Sequence, residues 1–288
     1  MQAKSWIMLK ALLNHFHHSE DSLLRYLPPE DAAGVRSQKI AFDNAAVALQ
    51  QPKDFVEKIH YSWLLPALKK LPAPLHNTLL AVLPEGHSSK LGLLLKQTPV
   101  DTGASFADPV RVFLLNTLYK HVKPAEILPV EFLPQTSLSE LANWNKQQLI
   151  ELIDILGLYD LAEEMRYIID QKRVKQFYTH LSKKQKPFLR ECLHQKEKIT
   201  ATPLNLKLWD GSRRTLERLL HQRGIVRLGK ALCGQHPDLL WYIKHILDVG
   251  RGAALEKHYS PQALPGVTPV LIQQVLNAIK YLEPKSAS

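Results

Sequence analysis

Asn145-Lys-Gln-Gln-Leu-Ile-Glu-Leu-Ile-Asp-Ile-Leu-Gly-Leu-Tyr-Asp-Leu-Ala-Glu-Glu-Met-Arg-Tyr-Ile-Ile169 is the stretch whose reading decides the fold. Leu149, Ile150, Leu152, Ile153, Ile155 and Leu156 recur at spacings of three and four, the period of a helix face turned to a core. Asn145 stands where an N-cap belongs, because its side-chain oxygen accepts from the unbonded N–H groups of a first turn. Gly157 stands where a left-handed C-terminal residue is expected. Leu158 to Ile169 then reads as a return helix, and the spacing predicts a helical hairpin.

The same pattern extends outward in both directions. Toward the N-terminus, Pro124, Pro129 and Pro134 break the chain between Lys123 and Gln135. Before that break, Val110, Val112, Phe113, Leu114, Leu115, Leu118 and Tyr119 read as a buried helix, and Thr98 to Pro109 as a loop. Earlier still come three short leucine-rich helices: one from Phe55 to Leu71, one from Leu75 to Leu83, and one holding Leu91, Leu93, Leu94 and Leu95. Pro66 is expected to kink or split the first of these. Trp6 to Phe16 and about Ser37 to Leu49 also follow helical spacing. Short helices with Pro- and Gly-containing connections must pack antiparallel to hide their leucines.

Toward the C-terminus, Ser137 with Glu140 has the capping-box spacing of a helix start, and Ser182 with Gln185 repeats it. Thr202 to Trp209 alternates apolar and polar residues, but a lone strand has no partner, so it reads as an extended connection. Asp210 or Ser212 caps a helix with Leu216, Leu219 and Leu220 on one side, and Gly224 is expected to end it. A short piece from Ile225 to Leu232 follows. His236-Pro237 and Thr268-Pro269 open two more helices. The expected fold class is all-α, an array of short packed helical hairpins in two lobes. Residues 1–123 are the leucine-rich N-terminal lobe, 124–136 the Pro-rich connection, 137–284 a basic C-terminal lobe and 285–288 a polar tail.

The bulk properties fit that reading. Of 288 residues, 45% are hydrophobic and 22% charged, the balance of a globular chain rather than a disordered one. Lys10 interrupts the first apolar run and no small-residue cleavage site follows, which argues against a signal peptide. No run approaches the ~20 apolar residues that a bilayer span needs. Cys192 and Cys233 cannot build a disulfide framework and read as free thiols of a reducing cytoplasm. The expected location is therefore cytoplasmic, with peripheral contact of a basic face with anionic headgroups at the inner membrane still open.

Catalytic signatures are missing from the sequence. There is no nucleophile elbow and no Gly-rich phosphate loop. Cys192, His194, Cys233 and His236 are zinc-ligand types, yet residues two apart on a helix point about 200° apart. His17 and His18, beside His15, diverge by about 100° and do not converge on one ion. His245, Asp248 and Arg251 could form an acid–base set, although such spacing is ordinary helix charge pairing. The expectation is a non-enzymatic protein with no cofactor and no metal.

Charge makes the sharpest functional statement. Lys172 to Lys230 holds sixteen Lys and Arg against four acids, +12 in a chain whose net charge is +10. Solvated helix faces would account for some of that excess. A nucleic-acid surface would use the arginines with Phe177, Tyr178 and Trp209, although these aromatics are sparse for a stacking platform. A docking surface for an acidic protein uses the same charge and needs no base-reading signature. The expected partner contacts are Arg213, Arg214, Arg218, Arg223 and Arg227, with Lys183, Lys184 and Lys186; the partner is an acidic protein, and nucleic acid is the alternative.

His60-Tyr-Ser-Trp-Leu-Leu-Pro-Ala-Leu-Lys-Lys-Leu71, followed by a short helix ending Leu83-Pro84, resembles the middle-domain hairpin of the flagellar motor-switch FliG family. That family opens the helix with Glu-His-Pro-Gln; here His60 matches, while Ile59, Tyr61 and Ser62 replace its companions and the proline is displaced to Pro66. The resemblance covers about 35 residues. The whole chain is similar to helical proteins associated with chlamydial type III secretion, of the SctK-like sorting-platform kind. The resemblance implies a structural adaptor whose partners are secretion-apparatus or motor components.

Overall fold

A computed structural model of the chain describes residues 3–15, 20–38, 56, 58–97, 106–122, 127–194, 204, 206 and 209–283. The described residues are all-α, with helices, two short 3-10 turns and no strand among them. The expected helix at Ser37–Leu49 and the tail at 285–288 lie outside the described residues, as does most of the Thr202–Trp209 connection. The chain falls into two units, Met1–Ala142 with His236–Val249, and Asn143–Gln235 with Gly250–Ser288.

In the first unit, α1 (Ala3–His15), α2 (Glu20–Leu24) and α3 (Pro29–Ser37) close around Leu13, Leu24, Ala32 and Val35, with the Trp6 indole N–H donating to Asp31 at 2.8 Å. The leucine-rich region forms α4 (Tyr61–Lys70), α5 (Ala73–Val82), α6 (Glu85–Leu95) and α7 (Asp108–Val122). Leu64, Leu68, Leu79, Leu80, Leu91, Leu115 and Leu118 make their common core. Pro66 sits inside α4 without splitting it; its missing N–H removes one ladder bond from a helix whose packing face, Leu64, Ala67 and Leu68, stays buried. The expectation that the Val110–Tyr119 helix is buried holds on one side only. Leu115 and Leu118 are buried, whereas Phe113 is 69% exposed and Val110 and Val112 are also exposed.

The same unit takes in α12 (Pro237–Ile246), far along the chain. Its Asp238 carboxylate accepts from the Leu128 N–H at 3.0 Å, and the Tyr242 hydroxyl donates to the Leu128 carbonyl at 2.7 Å. Trp63 donates to the Leu247 carbonyl at 2.8 Å, and His60 N–H to the His245 carbonyl at 2.8 Å. The division at 124–136 differs from this arrangement in two respects: the first unit continues to Ala142, and it includes a helix that sequence order assigns to the C-terminal lobe. At the Ser137–Glu140 capping spacing the chain forms only a 3-10 turn, Ser139–Asn143, in which the Ser139 hydroxyl accepts from the Thr136 N–H and donates to the Pro134 carbonyl.

The second unit is built on α8 (Lys146–Met165), a single helix of 20 residues. Its start is as expected, with Asn145 and Gln148 forming a reciprocal capping box. Its end is not: Gly157 does not terminate it, so the expected hairpin is one continuous helix. Residues 155–162 are all buried, so this middle segment of α8 is enclosed on every side. Around it pack α10 (Gln185–His194), α11 (Arg213–Ala231) and α14 (Thr268–Leu282), with α9 (Gln171–His180) and α13 (Val249–Glu256) completing the unit. Gly224 likewise lies inside α11 rather than at its end.

Both glycines have one cause. A Cβ on Gly157 would lie 2.7 Å from the Leu220 carbonyl carbon, and one on Gly224 would lie 2.6 Å from that of Ile153. The backbones of α8 and α11 touch there, and only hydrogen fits between them. Glycine costs a helix interior about 1 kcal/mol relative to alanine, and close packing of two long helices outweighs it.

Candidate functional site

A groove of the second unit lies between the N-terminal half of α8 and that of α11, with a cavity volume of about 770 Å³. Local sequence sets its walls. Ile150, Glu151, Asp154 and Ile155 recur at one-turn spacing on α8; Arg213, Glu217 and His221 form a ladder of fours on α11. The α10 entry adds Lys183 and Lys184. There Ser182 and Gln185 cap the helix reciprocally, as expected, at 2.9 and 3.2 Å. The Tyr281 hydroxyl donates to the Lys184 carbonyl at 2.7 Å and fixes that turn. Ser212 caps α11, and its N–H, with the Ser212 and Thr215 hydroxyls, holds the Asp210 carboxyl below its usual range.

Most charges in the groove are paired within its lining. Lys184 meets Glu151 at 3.2 Å, and Arg213 meets Glu217 at 2.7 Å. Lys183 and Arg218 have no ion pair or hydrogen bond among the described residues. At the inner end, His221 Nδ1 lies 2.6 Å from Asp154 Oδ1, and Arg251 Nε donates to His221 Nε2 at 2.8 Å. A guanidinium can only donate, so Nε2 is the unprotonated nitrogen and Nδ1 carries the proton given to Asp154. The histidine is therefore neutral and held at both nitrogens, a positioning element for Arg251. The lining then carries five cations against three carboxylates.

The expected contact residues separate. Lys183, Lys184, Arg213 and Arg218 meet in the groove. Arg214 is exposed on α11 outside the lining, and Lys186 and Arg223 are half-buried. Arg227 is a correction: it is 5% exposed, and its guanidinium bonds Asp160 and Gln274 over the ring of Tyr159. On a helix it stands about 180° from Arg218, so the two cannot serve one surface. Arg227 joins α8, α11 and α14 in the core.

Glu151, Asp154, Glu217 and His221 enter the site without a signal of their own in the sequence analysis, and Arg251, named there only for an acid–base set, enters it in another role. The ladder Arg213, Glu217, His221 was the available signal. Of the His245, Asp248, Arg251 set, the His245 ring is buried between Trp63 and Trp241 in the first unit, and in the second unit Arg251 donates to His221. Cys233 is buried, its thiol donating toward the Gly229 and His258 carbonyls and accepting from the Ser260 N–H. Among the described residues no three His, Cys, Asp or Glu side chains are grouped to hold a metal ion, and no helix is long and apolar enough to cross a membrane. No family model, curated protein or solved structure matches this chain.

Proposed function

We propose that this protein is a non-enzymatic adaptor that holds an acidic protein partner in a cytoplasmic bacterial assembly of the secretion or motor kind. One observation carries the reading: Lys183 and Lys184, from the turn that opens α10, and Arg213 and Arg218, from α11, line a single groove with a net positive charge. Its chemistry is recognition. Net charge speeds encounter, and partly desolvated pairs give orientation. Glu151, Asp154 and Glu217 in the same lining favour a protein partner over nucleic acid, because a phosphate backbone would present continuous negative charge to three carboxylates.

The test is affinity isolation of the tagged protein from its native cells, with and without nuclease, alongside a variant carrying Arg213→Glu, Arg214→Glu and Arg218→Glu. Secretion or motor components that survive nuclease and vanish with the variant are the expected result. Partners retained by the variant, or a recovery lost to nuclease, would overturn it.

A further inference from the structure

Charge alone does not describe the groove. Its floor is apolar: Ile155 and Leu220 are buried, and Ile150 and Leu282 are half-buried at its edge. Two of its cations are already neutralised by Glu151 and Glu217, leaving Lys183, at the α10 entry, and Arg218, on α11, without a partner among the described residues.

We infer that this groove is a docking slot for a short acidic segment of a partner protein, one that seats a large apolar side chain on the floor and places carboxylates against Lys183 and Arg218. This rests on the adaptor reading and gives its partner a chemistry. A purely acidic tail would leave the apolar floor wet and would face three carboxylates of the lining. An apolar segment would strand Lys183 and Arg218 in a desolvated contact, which is costly for unpaired charge. Only a segment that alternates the two satisfies both sets of groups, with the buried apolar anchor holding the complex and the charges setting its register. The Asp154–His221–Arg251 chain closes the inner end of the slot and keeps the Arg251 guanidinium in place whether or not the slot is filled.

The experiment selects a random-peptide display library on the full chain, then measures affinity of the enriched peptides by fluorescence polarisation. The expected consensus pairs Asp or Glu with Leu, Ile, Phe or Met. Arg218→Glu, and separately Leu282→Ser or Ile150→Ser, should each weaken binding by about tenfold, while Arg214→Glu, outside the lining, should change it by less than about twofold. Circular dichroism and unfolding of each variant confirm that the fold is kept; the milder Leu282→Ala replaces any variant that fails. Failure to enrich peptides, a consensus without acids, or affinity indifferent to both floor substitutions overturns the slot. Loss with Arg218→Glu but not with the floor substitutions overturns the slot and leaves the adaptor reading standing. Native partners that persist after the triple charge reversal overturn both.

Discussion

Replacing Gly157 or Gly224 by alanine should destabilise the second unit, although alanine is the better helix former. Both residues sit inside long helices, where the exchange gains about 1 kcal/mol of intrinsic propensity. Against that, the new methyl carbon would stand 2.7 Å from the Leu220 carbonyl carbon in one case and 2.6 Å from that of Ile153 in the other. Carbon atoms prefer about 3.5–4.0 Å, so each substitution demands roughly 1 Å of retreat. The obstacle is helix backbone and cannot rotate away as a side chain would. Parting α8 from α11 by that much loosens contacts along both helices, and overpacking of this kind costs about 1–3 kcal/mol net, sometimes more. Gly86 in α6 is the internal control: a Cβ there meets nothing within 4 Å, so Gly86→Ala should be neutral or stabilising by up to about 1 kcal/mol. Urea denaturation followed by far-UV circular dichroism gives the three midpoints. A rise in midpoint for Gly157→Ala or Gly224→Ala, matching Gly86→Ala, would refute the claim that these glycines are held by backbone contact rather than by helix termination.

Two further outcomes are expected. Arg227→Met should cost about 3–5 kcal/mol by leaving the Asp160 carboxylate buried without its partner; adding Asp160→Leu should recover most of that, and a double-mutant cycle showing simple additivity would contradict the pairing. Burial, then the charges of Lys230 and Lys257, lowers the His258 pKa. The folded protein therefore resists protonating it while the unfolded chain does so near its ordinary value, about 6.5. Stability should fall as pH drops below that value and level off below the depressed folded value. Urea midpoints across this range should flatten in His258→Gln; an unchanged slope would remove His258 as the cause.

Local rules were legible in the sequence wherever the deciding partner was local. Asn145 with Gln148, and Ser182 with Gln185, start helices through hydrogen bonds that span three residues. His236 likewise caps α12, accepting from the Asp238 N–H at 3.2 Å. Gly157 and Gly224 were read by a local rule, that glycine ends helices, when the force acting on them was tertiary: a carbonyl from another helix occupies the place of their missing side chain. Assignment of α12 to the first unit depends on Asp238 and Leu128, 110 residues apart, and no periodicity within either segment encodes that pairing. Arg227 is a similar case. At about 100° per residue it projects about 180° from Arg218 but only about 40° from Arg213, so spacing alone does not divide the exposed arginines from the buried one; Asp160 and Gln274, on two other helices, do.

The misread glycines and the groove are connected. Asp154 stands three residues before Gly157 on α8, and His221 three residues before Gly224 on α11, so their 2.6 Å contact lies within one turn of the backbone crossing. Larger residues at the crossing would push these helices apart by about 1 Å, beyond the range in which Asp154 could still accept from His221. Without that bond the imidazole is free to turn, and Arg251 loses the acceptor that orients its Nε. Two glycines that each weaken their own helix thus set the separation of α8 and α11 at the inner end of the groove, and with it the bond that orients Arg251.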